Sequence, residues 1–90
     1  MNAITGSVTT GAAETTAVVN VGFTPSLIKL VKSDGSLMAE YVNGVTVASV
    51  KGTFAATFTL GVVGSGSTAY TGVTFGGLAN ATTYKYVIVR

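Results

Sequence analysis

Leu27-Ile28-Lys29-Leu30-Val31-Lys32-Ser33-Asp34-Gly35-Ser36-Leu37-Met38-Ala39-Glu40-Tyr41-Val42-Asn43-Gly44-Val45-Thr46-Val47-Ala48-Ser49-Val50-Lys51 is the stretch that decides the fold. Three apolar, β-branched runs are separated by Asp34-Gly35 and by Asn43-Gly44. Both dipeptides favour tight hairpin turns, because Asn, Asp and Gly tolerate the positive φ such turns need. The spacing predicts a three-stranded meander, with strands at Leu27–Ser33, Leu37–Val42 and Val45–Lys51. In the first of these, Ile28, Leu30 and Lys32 share one face, and Leu27, Lys29 and Val31 share the other. Apolar residues on both faces predict a strand covered on both sides for part of its length.

The pattern continues outward from the meander. Upstream, Ala3–Thr9 and Thr16–Val21 alternate as strands, with Gly11–Glu14 as a connection. Pro25 lacks a ladder donor and biases Thr24 away from helix, so Gly22–Ser26 breaks the chain. Downstream, Thr53–Leu60 alternates most regularly: Phe54, Ala56, Phe58 and Leu60 on one face, Thr53, Ala55, Thr57 and Thr59 on the other. Gly61–Ser67 reads as a hairpin-tip loop. Ala69–Phe75 and Thr82–Arg90 close the chain. No window has a 3.6-residue apolar period. Seven to eight short strands with turns every 8–12 residues predict an all-β, single-domain antiparallel β-sandwich or flattened barrel over residues 1–90. The expected core is Val19, Val21, Ile28, Leu30, Phe54, Phe58, Phe75, Tyr86 and Ile88.

Composition limits the chemistry. The 90 residues contain no His and no Cys, and three side-chain carboxylates, Glu14, Asp34 and Glu40. A nucleophile therefore has few bases beside it, and neither a thiolate site nor a carboxylate pair is expected. Asp34 suits a turn bonded to its own backbone. Glu14 reads as a solvated charge, and Glu40 as half of a cross-strand ion pair. Gly61–Ser67 lacks the Gly-Lys-Ser/Thr ending of a phosphate loop. Asn80-Ala81-Thr82 reads as a turn. The expectation is no enzyme activity and no cofactor or metal.

Charged residues make up 9% of the chain, with a net charge of +2 from dispersed Lys29, Lys32, Lys51, Lys85 and Arg90. A globular domain ordinarily carries ~25%. Dispersed cations without aromatic platforms argue against nucleic acid. No apolar run approaches the ~18 residues of a membrane-spanning helix, and the first residues lack a signal peptide's basic and apolar regions. Domains this small usually add disulfides, a metal or oligomerisation to a modest core. Of these, oligomerisation is what the composition leaves. Leu27–Val31 and Tyr86–Val89 lack the usual edge protection and would aggregate as exposed edges. Tyr84, Tyr86 and the Thr-lined face with Thr53, Thr57 and Thr59 are the candidate subunit contact.

Val21-Gly22-Phe23-Thr24-Pro25-Ser26-Leu27-Ile28-Lys29-Leu30-Val31, followed by a hairpin carrying Glu40-Tyr41, resembles small structural proteins of tailed bacteriophage virions. Gly72-Val73-Thr74-Phe75, Asn80 and the final Thr83–Arg90 are similar too, although Val73-Thr74 separates Gly72 from Phe75. The resemblance covers residues 21–90. It implies a capsid decoration or cement protein that binds the major capsid protein on the assembled shell. The chain would be made in the host bacterial cytoplasm and carried on the capsid surface of the virion. Head-fibre or tail components are the nearest alternatives, and a carbohydrate- or cell-surface-binding module is a third. Because such decoration proteins often sit on three-fold axes, the resemblance implies a homo-oligomer, a trimer first.

Overall fold

The structure is a computed structural model that describes residues 3–63 and 70–90. Its eight strands are β1 (Ala3–Thr9), β2 (Ala17–Asn20), β3 (Leu27–Lys32), β4 (Met38–Val42), β5 (Val45–Lys51), β6 (Thr57–Val63), β7 (Tyr70–Gly76) and β8 (Thr83–Val89). They form two antiparallel sheets. One has five strands in the order β1-β8-β3-β4-β5, the other three in the order β2-β7-β6. The all-β sandwich expected from the sequence is the fold found.

The meander forms as expected, with one difference at its first turn. Asn43 and Gly44 both adopt positive φ, 45° and 91°, as a two-residue hairpin requires. Between β3 and β4 only Gly35 does so, at 77°. There the Lys32 N–H donates to Leu37 O at 3.0 Å and the Gly35 N–H to Lys32 O at 2.7 Å, which makes a four-residue loop. Asp34 holds the loop through its Oδ1, which accepts from the Ser36 N–H at 2.9 Å and the Ser36 hydroxyl at 2.6 Å.

The two strands that would be vulnerable as edges are interior. β3 lies between β8 and β4, and β8 lies between β1 and β3. Their N–H and C=O groups are therefore paired on both sides, which removes the aggregation expected of exposed edges. The expected second cover on β3 is not found, since among the described residues nothing packs over the side that carries Leu27, Lys29 and Val31.

β6 is shifted along the chain. Thr53–Ala56 precedes it, and Gly61–Val63, expected in a loop, belongs to it. The rest of that expected loop, residues 64–67, lies outside the described residues, as does Ala69. The side-chain alternation expected over Thr53–Leu60 nevertheless holds, because Phe54 and Ala56 are buried from a connecting segment. The Phe54 N–H donates to the Ser49 hydroxyl at 3.1 Å, so the segment finds a side-chain partner in place of a sheet ladder.

One core joins the sheets. Ile28, Leu30, Ala39, Val73, Phe75, Tyr84 and Ile88 have no exposed surface. Val19, Val21, Phe54, Ala56 and Leu78 complete the buried set, with Phe58 and Tyr86 half-buried against it. The aromatic rings run through it in contact. Phe75 meets Phe58 edge-on at 5.7 Å and Tyr86 at 5.9 Å, and Phe54 stacks on Tyr84 at 5.8 Å and 8°. At one end the buried Thr10 joins two loops. Its hydroxyl donates to Ala79 O at 2.6 Å and accepts from the Thr82 N–H at 3.0 Å.

Candidate functional site

With the inner faces spent on the core, what the fold presents is its two outer sheet faces. Strand alternation and register define both. On the five-stranded sheet, one row crosses every strand: Ala3, Val89, Leu27, Val42 and Val45. The next row is Thr5, Val87, Lys29, Glu40 and Val47, and the third is Ser7, Lys85, Val31, Met38 and Lys51. The first row is wholly apolar, yet Val45 is 62% exposed and Val42 40%. Val47 and Val87 of the second row are also exposed. Isolated exposed apolar residues are ordinary, whereas contiguous ones mark interaction surfaces.

The charges follow the same division. Lys29, Lys51, Lys85 and Glu40 all lie on this outer face, three positive against one negative. That accounts for the chain's whole net charge of +2. The other four charges balance and are engaged elsewhere. Lys32 Nζ lies 3.6 Å from Asp34 Oδ2, the Gly11 N–H donates to Glu14 at 2.6 Å, and the Arg90 guanidinium sits 5.9 Å from the Phe23 ring centre. Glu40 is directly opposite Lys29 in register. The Lys32–Asp34 pair is nevertheless the ion pair found among the described residues, so the expected Glu40 pair is not formed.

The outer face of the three-stranded sheet has a different composition. It carries Val18 and Asn20 from β2, Gly72, Thr74 and Gly76 from β7, and Thr57, Thr59 and Gly61 from β6. These residues are uncharged and, Val18 and Asn20 apart, Thr or Gly. Thr59 and Thr74 are cross-strand neighbours, and the Thr57 hydroxyl lies over Gly76, where it occupies the space a Cβ would need.

Five residues were expected at a subunit contact. Thr57 and Thr59 are exposed on this second face, as their alternation implied, and Thr53 is exposed on the connection before it. Tyr84 is a correction. It is fully enclosed, and its hydroxyl accepts from the Ala79 N–H at 2.9 Å, so it serves the interior. Tyr84, Tyr86 and Ile88 do share a face, but that face is the inner one. Tyr86 is half-buried, with its phenol across β1 above Gly6, where a Cβ would come within 2.7 Å of the hydroxyl. Tyr41 also points inward, 6.2 Å from Phe58. The side chain of Tyr70 lies outside the described residues. A sugar-stacking surface would need exposed rings, and Tyr41, Tyr84 and Tyr86 do not provide one.

The three carboxylates sit on separate elements. Asp34 is held below the usual carboxylate range by hydrogen bonds from the Ser36 hydroxyl and backbone N–H, with Lys32 helping. The described residues enclose no cavity and bring together no group of three metal-ligating side chains. The buried roles of Thr10, Ala39 and Leu78 were not foreseen. Ala and Thr give no hydropathic signal, and Leu78 sits in a segment that reads as a turn.

No family model, no curated protein and no solved structure matches this chain.

Proposed function

We propose that the chain is a virion structural protein of a tailed bacteriophage. In this reading it is a capsid decoration or cement protein that docks on the assembled major-capsid lattice through the outer face of its five-stranded sheet. The observation that carries this is the coincidence of an uncovered apolar row with the chain's entire net charge. A protein-binding surface commonly combines apolar area with polar and charged residues. Leu27, Val42 and Val45 supply apolar area along one end of the face, and Lys29, Lys51 and Lys85 on the adjoining rows favour an acidic counterpart. Val rather than aromatic side chains beside the lysines favours a protein surface over single-stranded nucleic acid.

Cosedimentation with shells assembled from the major capsid protein of the same genome tests the reading. The chain should pellet with shells and not with unassembled capsid subunits. Val45→Asp with Val47→Asp should weaken binding about tenfold or more, the loss expected when exposed apolar contact area is replaced by charge. Thr57→Asp with Thr59→Asp, the same charge change on the opposite face, should leave it unaltered. Raised salt should weaken binding by screening the lysines. A wild-type chain that never pellets with shells would sink the capsid role.

A further inference from the structure

The four sheet edges are not equally protected, and the difference identifies a partner. Natural sheets blunt their edges with short strands, bulges, charges or proline. In the three-stranded sheet, β2 has only four residues, and β6, although it keeps unbroken register with β7, carries a positive φ of 148° at Gly61. In the five-stranded sheet, β5 departs from regular pairing. Val47 opposes Glu40 but Lys51 opposes Met38, which leaves the three residues between them against Ala39 alone. β5 also ends on a lysine. β1 has none of these devices. It is seven residues long, pairs with β8 in unbroken register, has no positive φ, and carries no charge or proline.

The sequence of β1 is also self-complementary. An antiparallel pairing of two copies about a two-fold axis at Gly6 sets Ile4 opposite Val8, Thr5 opposite Ser7 and Ala3 opposite Thr9. Ile4 and Val8 point to the inner side, half-buried against the core, so the pairing would continue the apolar interior from one copy into the next. Thr5 and Ser7 point outward, where hydroxyls meet hydroxyls and water. At the axis two glycines face each other beneath the Tyr86 phenols that lie above Gly6. No charge opposes a like charge anywhere along this edge. An isologous contact of this kind closes on itself, so it yields a dimer and not a filament.

We infer that β1 is the docking edge for the β1 strand of a second copy, which makes a continuous ten-stranded sheet across a two-fold axis. The arrangement differs from the three-fold one the resemblance implies, and it stands independently of the virion role. It brings Tyr86 to the subunit contact, while Tyr84 stays in the core. A single strand pairing buries less than the ~1,600 Å² of a standard interface, so the dimer should be weak. It should appear between roughly 10 μM and 1 mM.

Sedimentation velocity across that range should show a reversible monomer–dimer equilibrium. Ile4→Lys, an inward charge on the edge, should hold the chain monomeric. The native absence of cysteine gives a clean background for a second measurement. Directly opposed residues have Cα atoms ~4.5–5.5 Å apart, within disulfide reach. The Thr5→Cys/Ser7→Cys double variant, oxidised with diamide, should therefore form a reducible covalent dimer. Val45→Cys/Val47→Cys, the equivalent pair on the opposite edge, should not. A wild type that remains monomeric to 1 mM overturns the inference. So does a Thr5→Cys/Ser7→Cys chain that fails to link, whatever Ile4→Lys does.

Discussion

The two outer faces rest on one core and share strand geometry, yet they are chemically different surfaces. The five-stranded face pairs several valines with lysines, and the three-stranded face carries Thr, Gly, Asn and one exposed valine, Val18, without a charge. Neither face supplies side chains to the core, because the buried apolar side chains all lie on the inner sides or on connections. Surface composition is thus free to serve contact. The five-stranded side has both features a partner could use, apolar area for affinity and charge for orientation.

If the faces are two sides of one core, breaking that core should remove both. Phe75 is fully buried on β7 and packs against both Phe58 and Tyr86. Phe75→Ala should cost about 3–5 kcal/mol, most of the stability of a domain this size, and lower the melting temperature in a single transition. A variant with two transitions would mean that the sheets are separately stable and the comparison is wrong. Phe58→Ala should cost less, because that ring is half-exposed.

The next effect compares one glycine from each sheet. Gly35 in the β3–β4 loop and Gly77 after β7 have nearly the same φ, 77° and 71°. A Cβ at Gly35 meets nothing, whereas one at Gly77 runs into the Ala55 carbonyl. Gly35→Ala should cost about 1–2 kcal/mol for the left-handed backbone alone. Gly77→Ala should cost at least about 1 kcal/mol more, because backbone must move. Equal denaturant midpoints for the two variants would show that the segment before β6 yields freely.

The smallest effect is at the end of the five-stranded sheet. Hydrogen bonds from Ser36, then Lys32, lower the folded-state pKa of Asp34. Its contribution is therefore complete above the ordinary aspartate value, about 3.9, and disappears as pH falls through the lower folded value. Asp34→Asn should melt slightly below wild type at pH 7, and the gap should close in acid. A gap that is constant from pH 7 to pH 2 would place the effect in loop geometry and not in charge.

Much of this was legible in the sequence because a period of two is a local property. β1 and β5 fall at the bounds their alternation gave, and Ile28, Leu30, Phe54, Phe75 and Ile88 are buried where it placed them. What alternation cannot give is the partner of each strand. Nothing local shows that β8 pairs with both β1 and β3, so the sequence leaves open whether these two apolar strands are interior or edges. Nor could it separate a buried alternating segment from a strand. Phe54-Ala55-Ala56 keeps the pattern, but Ser49 takes its N–H where a strand would have been expected. Tyr84 was misread for the same reason. Its face was evident, but the Ala79 N–H that makes burial of its hydroxyl tolerable comes from a turn five residues earlier.

The placement of β8 between β1 and β3 also sets an order of events. The β3-β4-β5 meander joins residues close in sequence and can form early. β1 must wait, because its partner β8 lies some eighty residues further on. Closing so long a loop is slow compared with closing a hairpin. Of the strands in this sheet, β1 is made before its partner β8 and is among the last to be paired. Until β8 inserts, the five-stranded sheet is a three-stranded hairpin array with an open flank at β3, so its completion depends on β8.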